Sequence, residues 1–137
     1  MQNELEPIVM VDDDDDDIFI ARMCYQRSGL ANPFVVFQHP QAFLRHMDGV
    51  KAGSEATPGI VLLDINMGAL DGFGVLKRLR SEESFQDIPT IIMLTNSDDP
   101  EDARRAEQLG ADGFQTKPIG ISSYVAFFKS LQPRLIA

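Results

Sequence analysis

The stretch Gly59-Ile60-Val61-Leu62-Leu63-Asp64-Ile65-Asn66-Met67 narrows the possible folds more than any other part of the chain. Ile60 to Leu63 run apolar without alternation, and Ile65 resumes the run. This is the pattern of a strand covered on both faces, as at the centre of a parallel sheet. A single carboxylate, Asp64, interrupts it at what would be the C-terminal end of the strand. Open α/β sheets bind their ligands in the crevice beyond those ends. An ionised carboxylate placed there is costly without a cationic partner or a metal, so the rest of the chain is expected to supply one or both.

Comparable apolar runs recur at Ile8-Val9-Met10-Val11, Phe34-Val35-Val36-Phe37, Thr90 to Thr95 and Gly113 to Lys117. The second of these reads as another buried strand. Helical spacing lies between them. Ile18, Ala21 and Tyr25 mark a helix from about Asp14 to Ser28 that stops at Gly29. Pro40 opens a second helix, with Phe43, Leu44 and Met47 to bury before Gly49. Val75, Leu76 and Leu79 form the inner stripe of a third, and Asp99-Pro100-Glu101-Asp102 opens a fourth that Gly110 closes. Ser122 or Ser123 is expected to cap the last, with Tyr124, Phe127, Phe128 and Leu131 inward and Pro133 at its end. Five strand-helix alternations at close spacing predict an α/β fold with a parallel sheet and helices on both faces. With no internal repeat or linker in 137 residues, one domain is expected over residues 1–137, with its core at 8–132.

The net charge of -9 argues against a nucleic-acid partner, which demands a basic surface. Six of those charges form one run, Asp12 to Asp17, so the acidity is local. An acidic run is ordinarily a solvated tract, but this one starts abruptly after a buried strand. Asp12 and Asp13 are therefore read as site residues, and Asp14 to Asp17 as the start of a helix, where the macrodipole favours negative charge. The single cysteine, Cys24, leaves no internal disulfide framework and reads as a small buried hydrophobe. No apolar stretch is long enough to span a bilayer and no leader pattern stands at the N-terminus, so no membrane partner is expected and a cytoplasmic location is.

Polar residues end four of the apolar runs: Asp12 and Asp13 the first, Asp64 the third, Thr95 the fourth and Lys117 the fifth. In a sheet of order 2-1-3-4-5 the first and third strands are neighbours, and their carboxylates converge. Several like charges together need a divalent cation to coexist. Hard oxygen ligands with room for waters suit Mg²⁺ better than zinc. A carboxylate that faces a metal, an ammonium and a hydroxyl is arranged to receive a phosphoryl group.

The motifs Val11-Asp12-Asp13, Leu62-Leu63-Asp64-Ile65-Asn66-Met67, Asp71-Gly72, Leu94-Thr95, and Gly110-Ala111-Asp112 through Thr116-Lys117-Pro118, in this order and spacing, resemble the response-regulator receiver domain of two-component signalling. The resemblance covers essentially all of residues 8–132. It implies a flavodoxin-like three-layer sandwich with five helices and a five-stranded parallel sheet of order 2-1-3-4-5. It also implies that Asp64 accepts a phosphoryl group from the phosphohistidine of a sensor histidine kinase or a histidine phosphotransfer protein. Asp13, Asp64 and the Asn66 backbone carbonyl would hold Mg²⁺ directly, and Asp12 would act mainly through a bound water. Lys117 would pair with the phosphoryl oxygens, and Thr95 would move toward them while Phe114 changes rotamer as the output switch.

Three positions depart from the family pattern. Gly68 stands where proline is usual, which is expected to loosen the loop after Asp64; Asn96 replaces a smaller residue beside Thr95; Ile119 replaces a frequent aromatic. The chain stops soon after its fifth helix, so a stand-alone receiver that signals by protein contact is expected rather than an enzyme. A Mg²⁺-dependent phosphohydrolase with an aspartyl nucleophile is the first competing reading, but Asn66 stands where such phosphatases of the haloacid-dehalogenase type need a second aspartate. A binding module that no longer uses phosphate is the other, and the intact Asp12, Asp13, Asp64, Thr95 and Lys117 set argues against it. His39 and His46, with no carboxylate or serine partner in view, read as surface residues. Phe127 and Phe128 are adjacent and cannot both face fully inward, so one of them, with Ile121 or Tyr124, is expected to reach a partner, and a homodimer through the last helix is one such pairing.

Overall fold

The structure, a computed structural model, describes residues 5–68 and 70–135. The strands are β1 (Ile8–Val11), β2 (Phe34–Phe37), β3 (Ile60–Leu63), β4 (Thr90–Thr95) and β5 (Gly113–Thr116). The helices between and after them are α1 (Asp15–Ser28), α2 (Pro40–Ala52), α3 (Gly72–Arg80), α4 (Pro100–Gln108) and α5 (Ile121–Ser130). All strand pairs are parallel, in the order β2-β1-β3-β4-β5. This is the expected order, and it makes β1 and β3 neighbours.

The side-chain period of two in a strand divides the core into two layers. Val9, Val11, Val61, Leu63, Ile91 and Met93 face Phe43 and Met47 of α2, Phe73, Leu76 and Leu79 of α3, and Ala106 of α4. Ile8, Met10, Ile60, Leu62, Ile92 and Leu94 face Ala21, Cys24 and Tyr25 of α1 and Tyr124, Phe128 and Leu131 beyond them. β1 and β3 are buried at every position, which is why they read as unbroken apolar runs. On the second face the rings of Tyr25, Phe34 and Phe128 meet with centroids 4.6–5.7 Å apart. Full burial of such a side chain contributes roughly 1.5–3 kcal/mol, and half-buried Phe34 contributes less.

Several local expectations are corrected. β2 is half-buried along its whole length, because it is an edge strand rather than an interior one. α2 runs through Gly49 and ends at Gly53, which adopts φ 86°. The cost of an interior glycine, about 1 kcal/mol, is offset by one more turn that buries Val50. Neither Ser122 nor Ser123 caps α5; Gly120 precedes the helix and offers no side-chain cap. His46 is half-buried, its ring 5.0 Å from that of Phe37, while His39 is exposed. Cys24 is fully buried, as expected. Of the aromatic face of α5, Tyr124 and Phe128 are spent in the core and Phe127 is half-buried, leaving Ile121 exposed.

Arg80, which ends α3, ties the far end of the sheet together. Its guanidinium donates to the Gly110 carbonyl at 3.0 Å, the Phe85 carbonyl at 3.1 Å and the Asp112 carboxylate at 2.9 Å. The same Asp112 oxygen accepts the N–H of Ile91 at the start of β4. No helix among the described residues is long and apolar enough to cross a membrane.

Candidate functional site

The strand register delivers the site. Val11 lies opposite Leu63, and Leu63 opposite Met93, so the residues that follow β1 and β3 emerge level with each other. Backbone pairing continues past the strand ends: the Asp64 N–H donates to the Val11 carbonyl at 3.0 Å, and the Asp12 N–H to that of Phe37 at 3.1 Å. The Lys117 N–H donates to the Thr95 carbonyl at 2.6 Å. Sheet hydrogen bonds thus anchor Asp12, Asp64, Thr95 and Lys117 at the C-terminal edge, and all four are buried.

Asp12, Asp13 and Asp64 each offer a carboxylate oxygen within 4.8 Å of those of the other two. Asp12 and Asp64 are buried and Asp13 is exposed, so the cluster opens to solvent on the Asp13 side. It contains only hard oxygen donors, with neither cysteine nor histidine. That donor set fits a divalent cation of the Mg²⁺ or Mn²⁺ type, which retains water on its open side.

Burial pushes the Asp64 carboxyl above the ordinary aspartate range, against the opposing pull of the Lys117 charge, the Thr95 hydroxyl and the N–H groups of Ile65 and Asn66. Burial likewise raises Asp12, although Lys117 and the Asp14 N–H both favour its ionised form. For Lys117, burial acts downward, but hydrogen bonds to Asp12 and Asp17 and the nearby Asp64 charge outweigh it, so the ammonium keeps its proton more tightly than a free lysine. The lysine does not neutralise the pocket alone, and the surplus negative charge is what a bound cation would balance.

All the expected strand-end residues converge, with one shift in emphasis. Lys117 Nζ donates to Asp12 Oδ2 at 2.8 Å and lies 3.6 Å from Asp64 Oδ2. It therefore bridges the two acids instead of standing on the far side of Asp64. Asn66 is exposed just beyond Asp64. Phe114 of β5, opposite Met93 of β4, is half-buried against the core. It borders a cavity of about 150 Å³ that Ala103, Ala106 and Glu107 of α4 also line.

One residue was assigned too little. Asp17 does stand in the first turn of α1, where Asp14 caps the helix by accepting the N–H groups of Asp16 and Asp17. Its carboxylate, however, also accepts a hydrogen bond from Lys117 Nζ at 2.5 Å. The signal was available: Asp17, Ala21 and Tyr25 are spaced four apart, so Asp17 continues the buried stripe of α1 toward the site.

Gly68, expected to loosen the loop after Asp64, adopts φ 80°. A proline, locked near φ -65°, cannot take that backbone conformation. Asn96 is exposed beside Thr95, and Ile119 is 93% exposed. Phe19, Ile20 and Ile121 are exposed as well. Ile20, Ile119 and Ile121 line a groove with Asp17 and Lys117 at its inner end.

A model of the family described as "Response regulator receiver domain" matches residues 8–128. Among curated proteins, the chain is 34% identical over 91 residues to the "DNA-binding dual master transcriptional regulator RpaA" of Synechocystis sp.; the match spans 64% of this chain and 37% of that protein. Among solved structures, it resembles response regulator RPA3017 in red light signaling of R. palustris, with a TM-score of 0.83, 27% identity and coverage of 93% of this chain and 91% of that one. The Mn(2+)-bound form of response regulator Rcp1 shares the fold at a TM-score of 0.77 and 18% identity, covering 93% of this chain and 91% of that one.

Proposed function

Because the chain belongs to the family of response regulator receiver domains, which are switched by phosphorylation on aspartate in two-component signalling, we propose that Asp64 is its phosphoacceptor. The observation that carries this reading is the pocket itself: a buried carboxylate within 3.6 Å of a buried ammonium and grouped with two further acids. An Asp64 oxygen attacks the phosphorus of a phosphohistidine in line with the N–P bond. The O–P bond forms as the N–P bond breaks, and the electron pair leaves with the imidazole. Lys117 neutralises one equatorial oxygen of the transferred group, and the Thr95 hydroxyl donates to another.

Asp13, Asp64 and the Asn66 carbonyl would hold a divalent cation directly, with Asp12 bound through water. Mg²⁺ is the cation proposed, and Rcp1 supplies a Mn²⁺ parallel. Such an ion would supply charge neutralisation for the phosphoryl oxygens. Phe114 is the proposed output switch, and the cavity beside it gives the ring somewhere to turn.

The donor is a sensor histidine kinase or a histidine phosphotransfer protein in the cytoplasm. The exposed side chains of Ile20, Ile119 and Ile121, which line a groove with Asp17 and Lys117, offer its surface an apolar seat. The chain spans only 37% of the length of RpaA, and DNA binding is not part of this proposal. Homodimerisation through α5 is part of it, with Ile121 and the half-covered Phe127 as the apolar surface. Sedimentation with and without beryllofluoride tests that point, and a monomer in both states removes it.

The central test is labelling by a phosphodonor with Mg²⁺. It is expected to give an acid-stable, hydroxylamine-labile adduct that maps to Asp64, and beryllofluoride is expected to shift the Phe114 resonances. Equal labelling of Asp64→Asn would remove the assignment.

A further inference from the structure

The shortest contact of Lys117 is not with the proposed phosphoacceptor. Nζ lies 2.5 Å from Asp17 Oδ2, 2.8 Å from Asp12 Oδ2 and 3.6 Å from Asp64 Oδ2. Of these three acids Asp17 alone stands outside the cluster fit for a cation. It is also the one in partial contact with water, its side chain 29% exposed. An ammonium has three N–H groups, and here two are committed to Asp12 and Asp17 at full hydrogen-bond distance while Asp64 is held beyond it.

We propose that Asp17 is a positioning residue that holds Lys117 back from Asp64 in the unphosphorylated protein and competes with the incoming phosphoryl group for the same ammonium. The proposal rests on the reading of Asp64 as phosphoacceptor. Two effects act in one direction. Lys117 must loosen its contact with Asp17 to close on a phosphoryl oxygen, and the Asp17 charge, left nearby, repels the dianion. Because Asp17 reaches solvent, water can take up its carboxylate when the lysine leaves. Asp12 has no such outlet, being fully buried, so it remains with Lys117 while Asp17 lets go.

Asp16 separates this role from helix initiation. It lies in the same first turn with the same charge, but it is exposed and is not among the partners of Lys117. With Mg²⁺ present, beryllofluoride titrated into Asp17→Asn should bind about fivefold more tightly than to the wild type, the scale of one charge-assisted contact at a partly exposed site. Asp16→Asn should match the wild type, and Asp17→Glu should restore wild-type affinity. In the ligand-free protein, the Lys117 ammonium signal should exchange with water faster in Asp17→Asn than in the wild type or in Asp16→Asn. Unchanged or weaker beryllofluoride binding by Asp17→Asn, with normal binding by the wild type, overturns the positioning role and leaves the phosphoacceptor standing. A wild type that takes up no beryllofluoride overturns both.

Discussion

Asp64 and Asp12 carry their charge against the cost of burial, which lifts both carboxyls above the ordinary aspartate range. The sign for stability follows from linkage. Below the ordinary range both the folded and unfolded chains are protonated, and burial carries no charge penalty. As pH rises, the unfolded chain ionises first, so stability falls until pH has passed the raised folded-state values. Lys117 has its folded-state value raised too, so its contribution is intact at neutral pH and is lost only in strong alkali. Asp64→Asn should therefore raise the melting midpoint near neutral pH without added metal, by about 3 °C or more. The gain should shrink as the solution is acidified. Thermal melts at two pH values check this, and a loss of stability near neutral pH would contradict it. Asp12, Asp64, Thr95 and Lys117 were legible because each polar side chain ends an apolar run. The Asp17 contact was harder to read: its spacing to Ala21 and Tyr25 points it toward the site, but its partner lies 100 positions away, and an aspartate within an acidic run looks like its neighbours.

Among the elements, the entry to α3 is closely packed at Gly72. The Gly72 N–H donates to the Ile65 carbonyl at 2.7 Å. A Cβ built on Gly72 would fall 2.1 Å from the Asp64 carbonyl oxygen. Backbone there cannot yield without displacing Asp64 itself. Gly72→Ala should thus cost about 3 kcal/mol or more, with beryllofluoride affinity falling in whatever fraction still folds. Denaturant titration and the same ligand titration measure the two effects, and a neutral result in both would refute the close packing. The order and type of all five strands and five helices could be read from apolar periodicity and from Gly, Pro and Asp punctuation. Element ends were less legible wherever tertiary packing outweighs local preference. Val50 found a place in the core, so α2 passed Gly49. Gly120 supplied the backbone turn into α5, so no serine was needed as a cap. β2 could not be recognised as an edge from its own residues, because edge position belongs to the sheet and not to the strand.

For the molecule as a whole, the pocket links folding to cation binding. A cation that binds only the folded cluster stabilises it by mass action, about 1.4 kcal/mol at tenfold its dissociation constant, or about 5 °C for a chain of this size. Mg²⁺ or Mn²⁺ should raise the melting midpoint near neutral pH, a chelator should reverse the rise, and mild acid should abolish it as protons displace the ion from Asp12 and Asp64, whose carboxyls burial raises. A midpoint indifferent to both cations would remove the cluster as a metal centre. The bond from Lys117 to Asp12 spans 105 positions of the sequence, and it joins the end of the first strand to the end of the last. Because Lys117 is synthesised after every acid it pairs with, the ion pair that closes the pocket cannot form on the ribosome until the last strand has been made.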